Sequence, residues 1–289
     1  TSGSNSVDIS LDGDDNGSSL AAAGGGTWGS LYRGVGHFTA DSPAALVVVP
    51  GTANGAPVDT FQSSAQQYGA GNSIGYSVTG SQNQFGFLQG GDNNQLNGVV
   101  GGSQNEIASV QIGDGNIVDF IQDGDGNNAG FDIVGSGNQF ALNQDGSGNK
   151  AGFDVDGSNN WIAARQDGTT NQMNLSIQGS GNNMVGLSDA FTGAALTARN
   201  VAVLEDATFR RGSLFQDGDG NKLGGSLDGA PFLVNGNNNS FATFQDGNNN
   251  TIVGSIDGSS NQAVVVQFGN GNMADMTQVG SGNNLGINQ

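Results

Sequence analysis

Apolar residues return along this chain every eleven positions: Ile74, Phe85, Leu96, Ile107, Val118, Phe140, Ile162 and Met173 share one grid. Each stands second after a recurrent Asn, and the second, fourth and sixth places after that Asn are mostly apolar or Gln. Between them lie mostly small or polar residues, such as Asn128, Gly130 and Asp132. Period-two alternation of this kind marks a strand with one buried face, because successive side chains point to opposite sides of the backbone. The following positions hold Gly among polar neighbours, as in Asp123-Gly124-Asp125-Gly126, which is turn chemistry. The unit is therefore a strand of about seven residues and an arc of about four, and no helical period competes with it.

The longest run of the recurrent Asn is Asn72, Asn83, Asn94, Asn105, Asn116, Asn127, Asn138, Asn149, Asn160, Asn171 and Asn182. A Gly stands three residues before each: Gly69, Gly80, Gly91, Gly102, Gly113, Gly124, Gly135, Gly146, Gly157, Gly168 and Gly179. The spacing resumes at Asn221, then at Asn239, Asn250, Asn261, Asn272 and Asn283, and it opens with Asn5 and Asn16. Such self-similarity predicts stacked repeats. A lone strand cannot bury its face, so two eleven-residue units make one rung of an all-β solenoid whose rungs pair in parallel. Sixth-place residues then form columns: Gln67, Gln89, Gln111, Ile133, Val155, Ile177 in one sheet, and Val78, Val100, Gln122, Gln144, Gln166 in the other. Like stacks on like. Gln216, Gln245, Gln267 and Gln289 extend the set. A buried amide needs partners for its oxygen and its NH₂, and an identical amide about 4.8 Å above and below supplies them. Scattered composition bias predicts no such blocks.

The grid divides one continuous domain into N-terminal strands over 1–23, an insertion over 24–60, main repeats over 61–187, a second insertion over 188–209 and C-terminal repeats over 210–289. The first strands are expected at Asn5–Leu11 and, more weakly, Asn16–Ala22. The first insertion is rich in aromatics (Trp28, Tyr32, Phe38) and is expected to pack on the solenoid side. A short third insertion lies between Leu227 and Asn239, where Pro231 cannot hold an interior strand position.

The 52 glycines of this 289-residue chain would suggest disorder if they lacked a period. Charged residues are 11%, Asp and Glu outnumber Lys and Arg by 26 to 7, and the net charge is -19. That argues against nucleic acid, whose binding needs a basic face, and acidity keeps an exported chain soluble. With no Cys, disulfides and thiolate metal sites are excluded. No apolar run approaches the ~18 residues of a membrane helix, so no membrane insertion is expected. Asn5 stands close to the first residue and Gln289 is itself a sixth-place residue, with no polar capping segment in view. The expectation is end-to-end growth by strand addition, which gives filaments.

Catalytic chemistry finds little support. His37 has no nucleophile signature around it and reads as packed or solvated, and the acids lie in turns rather than across a cleft. Calcium is a sharper alternative. Asp123, Asp145 and Asp167 recur at every second unit and so stack, and Asp123–Asn127 resembles part of a calcium loop without its distal Glu. The plainer reading is that Asp and Gly suit tight turns. Outward Trp161 and Arg165 share a strand face, and outward Ile117, Ile121, Val185, Leu187, Val264 and Val266 form apolar spots that suit cover by an insertion or lateral bundling.

These residues resemble the curlin repeat of secreted functional amyloid subunits, whose pattern is Gln, any, Gly, two of any, Asn, any, Ala, three of any, Gln. Gln267-Phe268-Gly269-Asn270-Gly271-Asn272-Met273-Ala274-Asp275-Met276-Thr277-Gln278 matches it throughout; Gln122–Ala129 and Gln144–Ala151 match its first eight places. The resemblance implies a left-handed β-solenoid, secretion through an outer-membrane pore, a nucleator, and extracellular assembly into adhesive cell-surface fibres for a biofilm matrix. Departures are Asn where the family often has Ser at alternate strand starts, aliphatic residues in place of Gln on one sheet of most rungs, and two long insertions. The expectation is thus a structural, non-enzymatic, homopolymeric subunit without cofactor. The alternative is a monomeric or surface-attached adhesin or ice-binding solenoid, calcium-stabilised in one version, although outward Thr is sparse (Thr251, Thr277).

Overall fold

A computed structural model describes residues 4–14, 16, 64–184, 211–225 and 230–289. The alternating pattern becomes strands wherever it is described: β1 (Ser6–Asp12), β2 (Ser64–Tyr68), β3 (Ser73–Thr79), β4 (Gln84–Gly90), β5 (Gln95–Gly101), β6 (Glu106–Ile112) and β7 (Ile117–Asp123). There follow β8 (Asn128–Val134), β9 (Gln139–Ser147), β10 (Lys150–Asp156), β11 (Trp161–Thr169), β12 (Gln172–Gln178) and β13 (Ser213–Asp217). The chain continues through β14 (Lys222–Leu223), β15 (Phe232–Asn235), β16 (Ser240–Asp246), β17 (Thr251–Asp257), β18 (Gln262–Phe268), β19 (Met273–Val279) and β20 (Asn284–Asn288).

Strands go alternately to two sheets. The first runs β1-β3-β5-β7-β9-β11-β13-β16-β18-β20; the second runs from β2 through β4, β6, β8, β10 and β12 to β14/β15, β17 and β19. Neighbours pair in parallel with a shift of two repeat units, as in Ala151↔Met173 and Phe120↔Leu142, so the fold is a β-solenoid with two strands per rung. The expected strand at Asn5–Leu11 is β1, one residue later.

The core is an apolar seam between the sheets, filled from second- and fourth-place side chains and from the sixth place where it is aliphatic. Phe131 stacks on Phe153 at 5.3 Å, and Tyr76 meets the edge of Phe87 at 5.0 Å. Gly98 holds a fourth-place position because a Cβ there would lie 2.0 Å from the Phe120 ring. The arcs explain the recurrent Gly before each Asn. Gly146 has φ +110 and faces the Gly168 carbonyl so closely that a Cβ would sit 2.0 Å from that oxygen. An L-residue is strained at this φ, and the next rung leaves no room.

Each interruption is spliced into a strand near its start. Asn16 sits beneath Asn83, with Asn83 N–H on Asn16 Oδ1 at 3.1 Å, yet the remainder of that strand is β2, with Gln67 beneath Gln89. Asn182 and Asn183 likewise begin the level that β13 completes, and β14 and β15 lie end to end between β12 and β17. Pro231 immediately precedes β15, clear of the pairing positions. The insertions at 24–60 and 188–209, His37, Val185, Leu187 and the strand expected after Asn16 lie outside the described residues.

Candidate functional site

The residues that dominate the interior besides the apolar ones are amides, and the solenoid aligns them in columns. Along the Gln column of the first sheet, Gln122 Nε2 donates to Gln144 Oε1 at 2.9 Å, Gln144 to Gln166 at 2.8 Å, and Gln166 to Gln216 at 2.9 Å. The series goes on through Gln245 and Gln267 to Gln289. In the second sheet Gln67 donates to Gln89 and Gln89 to Gln111, at 2.8 and 2.7 Å. The remaining proton of each amide crosses to the opposite sheet: Gln144 Nε2 reaches Asn128 O at 3.1 Å and Gln89 Nε2 reaches Ser73 O at 3.1 Å. Within both series the amide-to-amide bonds all point toward the C-terminal end. The Gln that begins a series therefore has no donor below it. Gln122 and Gln278 stand above Val100 and Ile256, and the Oε1 of each is buried without a partner.

The Asn columns are bonded differently from a simple amide-on-amide stack. Asn127 N–H donates to Asn105 Oδ1 at 2.8 Å, and Asn127 Nδ2 donates to Gly146 O at 2.8 Å. Each Asn thus ties the backbone of its own rung to the next. The acceptor is the backbone carbonyl of the recurrent arc Gly in the next rung. In the column of Asn94, Asn116, Asn138, Asn160 and Asn182 a side-chain bond is added, as from Asn116 Nδ2 to Asn94 Oδ1 at 3.0 Å. The recurrent Asn from Asn72 to Asn182 are all fully or almost fully buried.

The acidic residues also form a column. Asp123, Asp145 and Asp167 stack in register, and Asp217 and Asp246 continue the line. Arg165 donates to Asp167 at 2.8 Å, so its guanidinium is engaged along the strand. Burial raises the Asp217 pKa, Asp167 and Asp246 add to the rise, and Arg165 opposes it. One carboxylate per level makes a line rather than a cage: among the described residues no group of three acidic side chains converges on a metal position.

A second carboxylate pair lies where only its spacing, two repeat units, hinted at it. Asp132 and Asp154 stack on the outward face of the second sheet. Asp132 is only 6% exposed, its Oδ1 has no partner, and burial followed by the neighbouring Asp154 pushes its pKa up to about 7. Asp154 accepts from Ser176 Oγ at 3.2 Å. Val110, Asn174 and Ser176 are buried on the same outward face. Val264 and Val266, outward on the first sheet, form a second apolar cluster with Ala242, edged by Phe215, Phe244 and Phe268, whereas Ile121 stays 48% exposed.

The two extremities are edge strands. At the N-terminal end, the outer edges of β1 and β2 have no strand beside them among the described residues, and β19 and β20 are in the same position at the other. The backbone N–H groups of Asn272 and Asn283 donate to Asn250 and Asn261 Oδ1, but their Nδ2 groups donate only to their own arcs, at Phe268 O and Val279 O, and their Oδ1 atoms accept nothing among the described residues. A family model described as the curlin associated repeat matches residues 257–280, which span the arc after β17 and all of β18 and β19. No curated protein matches the chain.

Proposed function

The chain carries a curlin associated repeat on a β-solenoid, and from these we propose that it is a structural subunit that stacks end to end into an extracellular, cell-surface fibre, as in an adhesive or biofilm matrix. One observation carries the reading. The in-register amide columns run through the described rungs and stop at edge strands with unused hydrogen-bonding groups. An edge of this kind templates another strand of the same pattern, because N–H and C=O groups along it lack partners. The amides add selectivity, since each finds its match only in register. The subunit's partner is a second copy; a nucleator and a secretion pore follow from the family alone.

The test is direct. The purified 289-residue chain, incubated and followed by negative-stain microscopy, is expected to form unbranched filaments that elongate with time and give a fibre reflection at about 4.7–4.8 Å. Single particles at every concentration, with no elongation from added seeds, would overturn the reading.

A further inference from the structure

Head-to-tail stacking is a geometric problem, and the strand count constrains its solution. Among the described residues the first sheet has ten levels. The second also has ten strands, but β14 and β15 share one level, which leaves nine. The described solenoid therefore holds an odd number of half-turns, beginning and ending in the first sheet. If an identical copy were placed above in the same orientation, with its β1 on β20, the second sheet would be one strand short at each junction. Its β2 would hang about 9.6 Å above β19 instead of about 4.8 Å.

We propose that successive copies of the 289-residue chain are related by a half-turn about the fibre axis, so that β1 of the next copy sits on β19 and β2 of the next copy on β20. This deepens the fibre reading and rests on it. Both sheets then continue without a gap, and each copy advances the fibre by about 46 Å, nineteen half-turns of about 2.4 Å.

The side chains at the two edges fit this pairing. Gln289, at the top of the long amide series, accepts from Gln267 and spends one proton on Met273 O, which leaves one N–H to donate upward. The half-turn places Gln67 of the next copy above it. Gln67 Oε1 receives no donor among the described residues, while its Nε2 already donates to Gln89. One bond therefore joins the two Gln series in the direction every other member follows. Asn283 comes to lie under Asn16 of the next copy. Its Oδ1 then accepts the Asn16 N–H, and its Nδ2 gains the Gly13 carbonyl, as Asn16 itself uses Gly80 O one rung higher. Gly280 meets no carbonyl, whereas the equivalent glycines inside the stack each face one, and Gly13 of the next copy supplies it. Gln278 comes to lie under Leu11, a Gln-below-aliphatic step that the chain already contains at Gln111 and Ile133. The opposing term is Asp275 beneath Asp8, a like-charge step of the kind already tolerated from Asp123 to Asp246.

Cysteine pairs in this cysteine-free chain read the geometry. Ser10 and Thr277 are exposed, outward and fifth-place, and the half-turn brings Thr277 of one copy beneath Ser10 of the next. Stacked strands bring such a pair within reach of a disulfide. The Ser10→Cys/Thr277→Cys double variant, oxidised after assembly, is expected to give a ladder of covalent multimers on a non-reducing gel. Ser10→Cys/Asn288→Cys, which reports the unrotated stack, is expected to stay monomeric. The reverse result, links in both, or filaments with links in neither overturns the half-turn and leaves the fibre reading standing. Absence of filaments in the parent chain overturns the fibre reading itself. Helical reconstruction gives the second readout: a rotation near one half-turn per subunit, modified by the intrinsic twist of the sheets, supports the proposal, and pure translation with the same twist refutes it.

Discussion

Gln144 is the place to test what the amide series contributes. Its side chain is fully buried, accepts from Gln122 at 2.9 Å, and donates to Gln166 Oε1 at 2.8 Å and to Asn128 O at 3.1 Å. Leu has a similar volume, so Gln144→Leu leaves a small cavity term and isolates the polar one. Gln122 keeps its bond to Glu106 O, but one of its N–H groups, Gln166 Oε1 and Asn128 O all lose a partner in the interior. A buried group left unmatched costs about 1–3 kcal/mol, so with three such groups the variant should lose about 3–9 kcal/mol. Gln278→Leu is the control. It gives up one bond, to Gln262 O, and removes an oxygen that is already orphaned, so it should change stability by less than about 1 kcal/mol. Urea unfolding of the unassembled chain, followed by far-ultraviolet circular dichroism, measures both. If Gln144→Leu costs no more than Gln278→Leu, hydrogen-bond continuity does not hold these rungs together and the reasoning fails.

Four further outcomes follow from the structure. Replacing Gln122, Gln144 and Gln166 together by Ala should slow fibre growth at least about tenfold in a seeded thioflavin assay, since each loses buried partners; unchanged kinetics would remove the Gln series from assembly. Gly146→Ala should destabilise by more than about 3 kcal/mol, combining φ +110 with a carbonyl 2.0 Å from the new Cβ. By contrast, Gly126→Asn should shift stability by less than about 0.5 kcal/mol, because Gly126 has open space and φ +68, close to the φ of Asn159 at the same arc position. Asp132 gives a pH signature: its folded pKa is raised from 3.8 to about 7, so the folded chain holds a proton that the unfolded chain releases. That contribution is complete below about pH 4, falls away as pH rises toward 7 and is flat above, roughly 4 kcal/mol over the window. Asp132→Asn should remove it, read as the difference between the two unfolding midpoints from pH 4 to 8.

The strands, their register and the side each residue faces were legible in the chain because a period of two inside a period of eleven leaves little freedom: a one-residue slip would turn Phe131 and Phe153 out to solvent. Less legible was how an interruption joins the repeat. The expected boundaries assumed whole strands on either side, whereas Asn16, Asn182 and Asn221 each begin a level that a distant segment completes. The signal was present as three vacancies in the grid, at Phe61, Arg210 and Asp228, where Asn is missing because the level already has one. The bonding of the Asn side chains to glycine carbonyls and N–H groups was hidden as well, since spacing reports which residues align but not which atoms meet. Burial of Val110 and Asp132 on an outward face could not be read from alternation, which records only which side of a strand is which.

The splicing of distant segments into one level has a practical consequence. A level is defined by its anchor Asn and by the half of the strand that returns to it, so the length of polypeptide between the two is irrelevant to the stack. Three levels already use that latitude, each within the first half of its strand, in both sheets. Every other rung offers an equivalent port, and a foreign peptide grafted just after, for instance, Asn105 or Asn138 would be displayed at a fixed pitch without shifting a single residue of the scaffold beneath it.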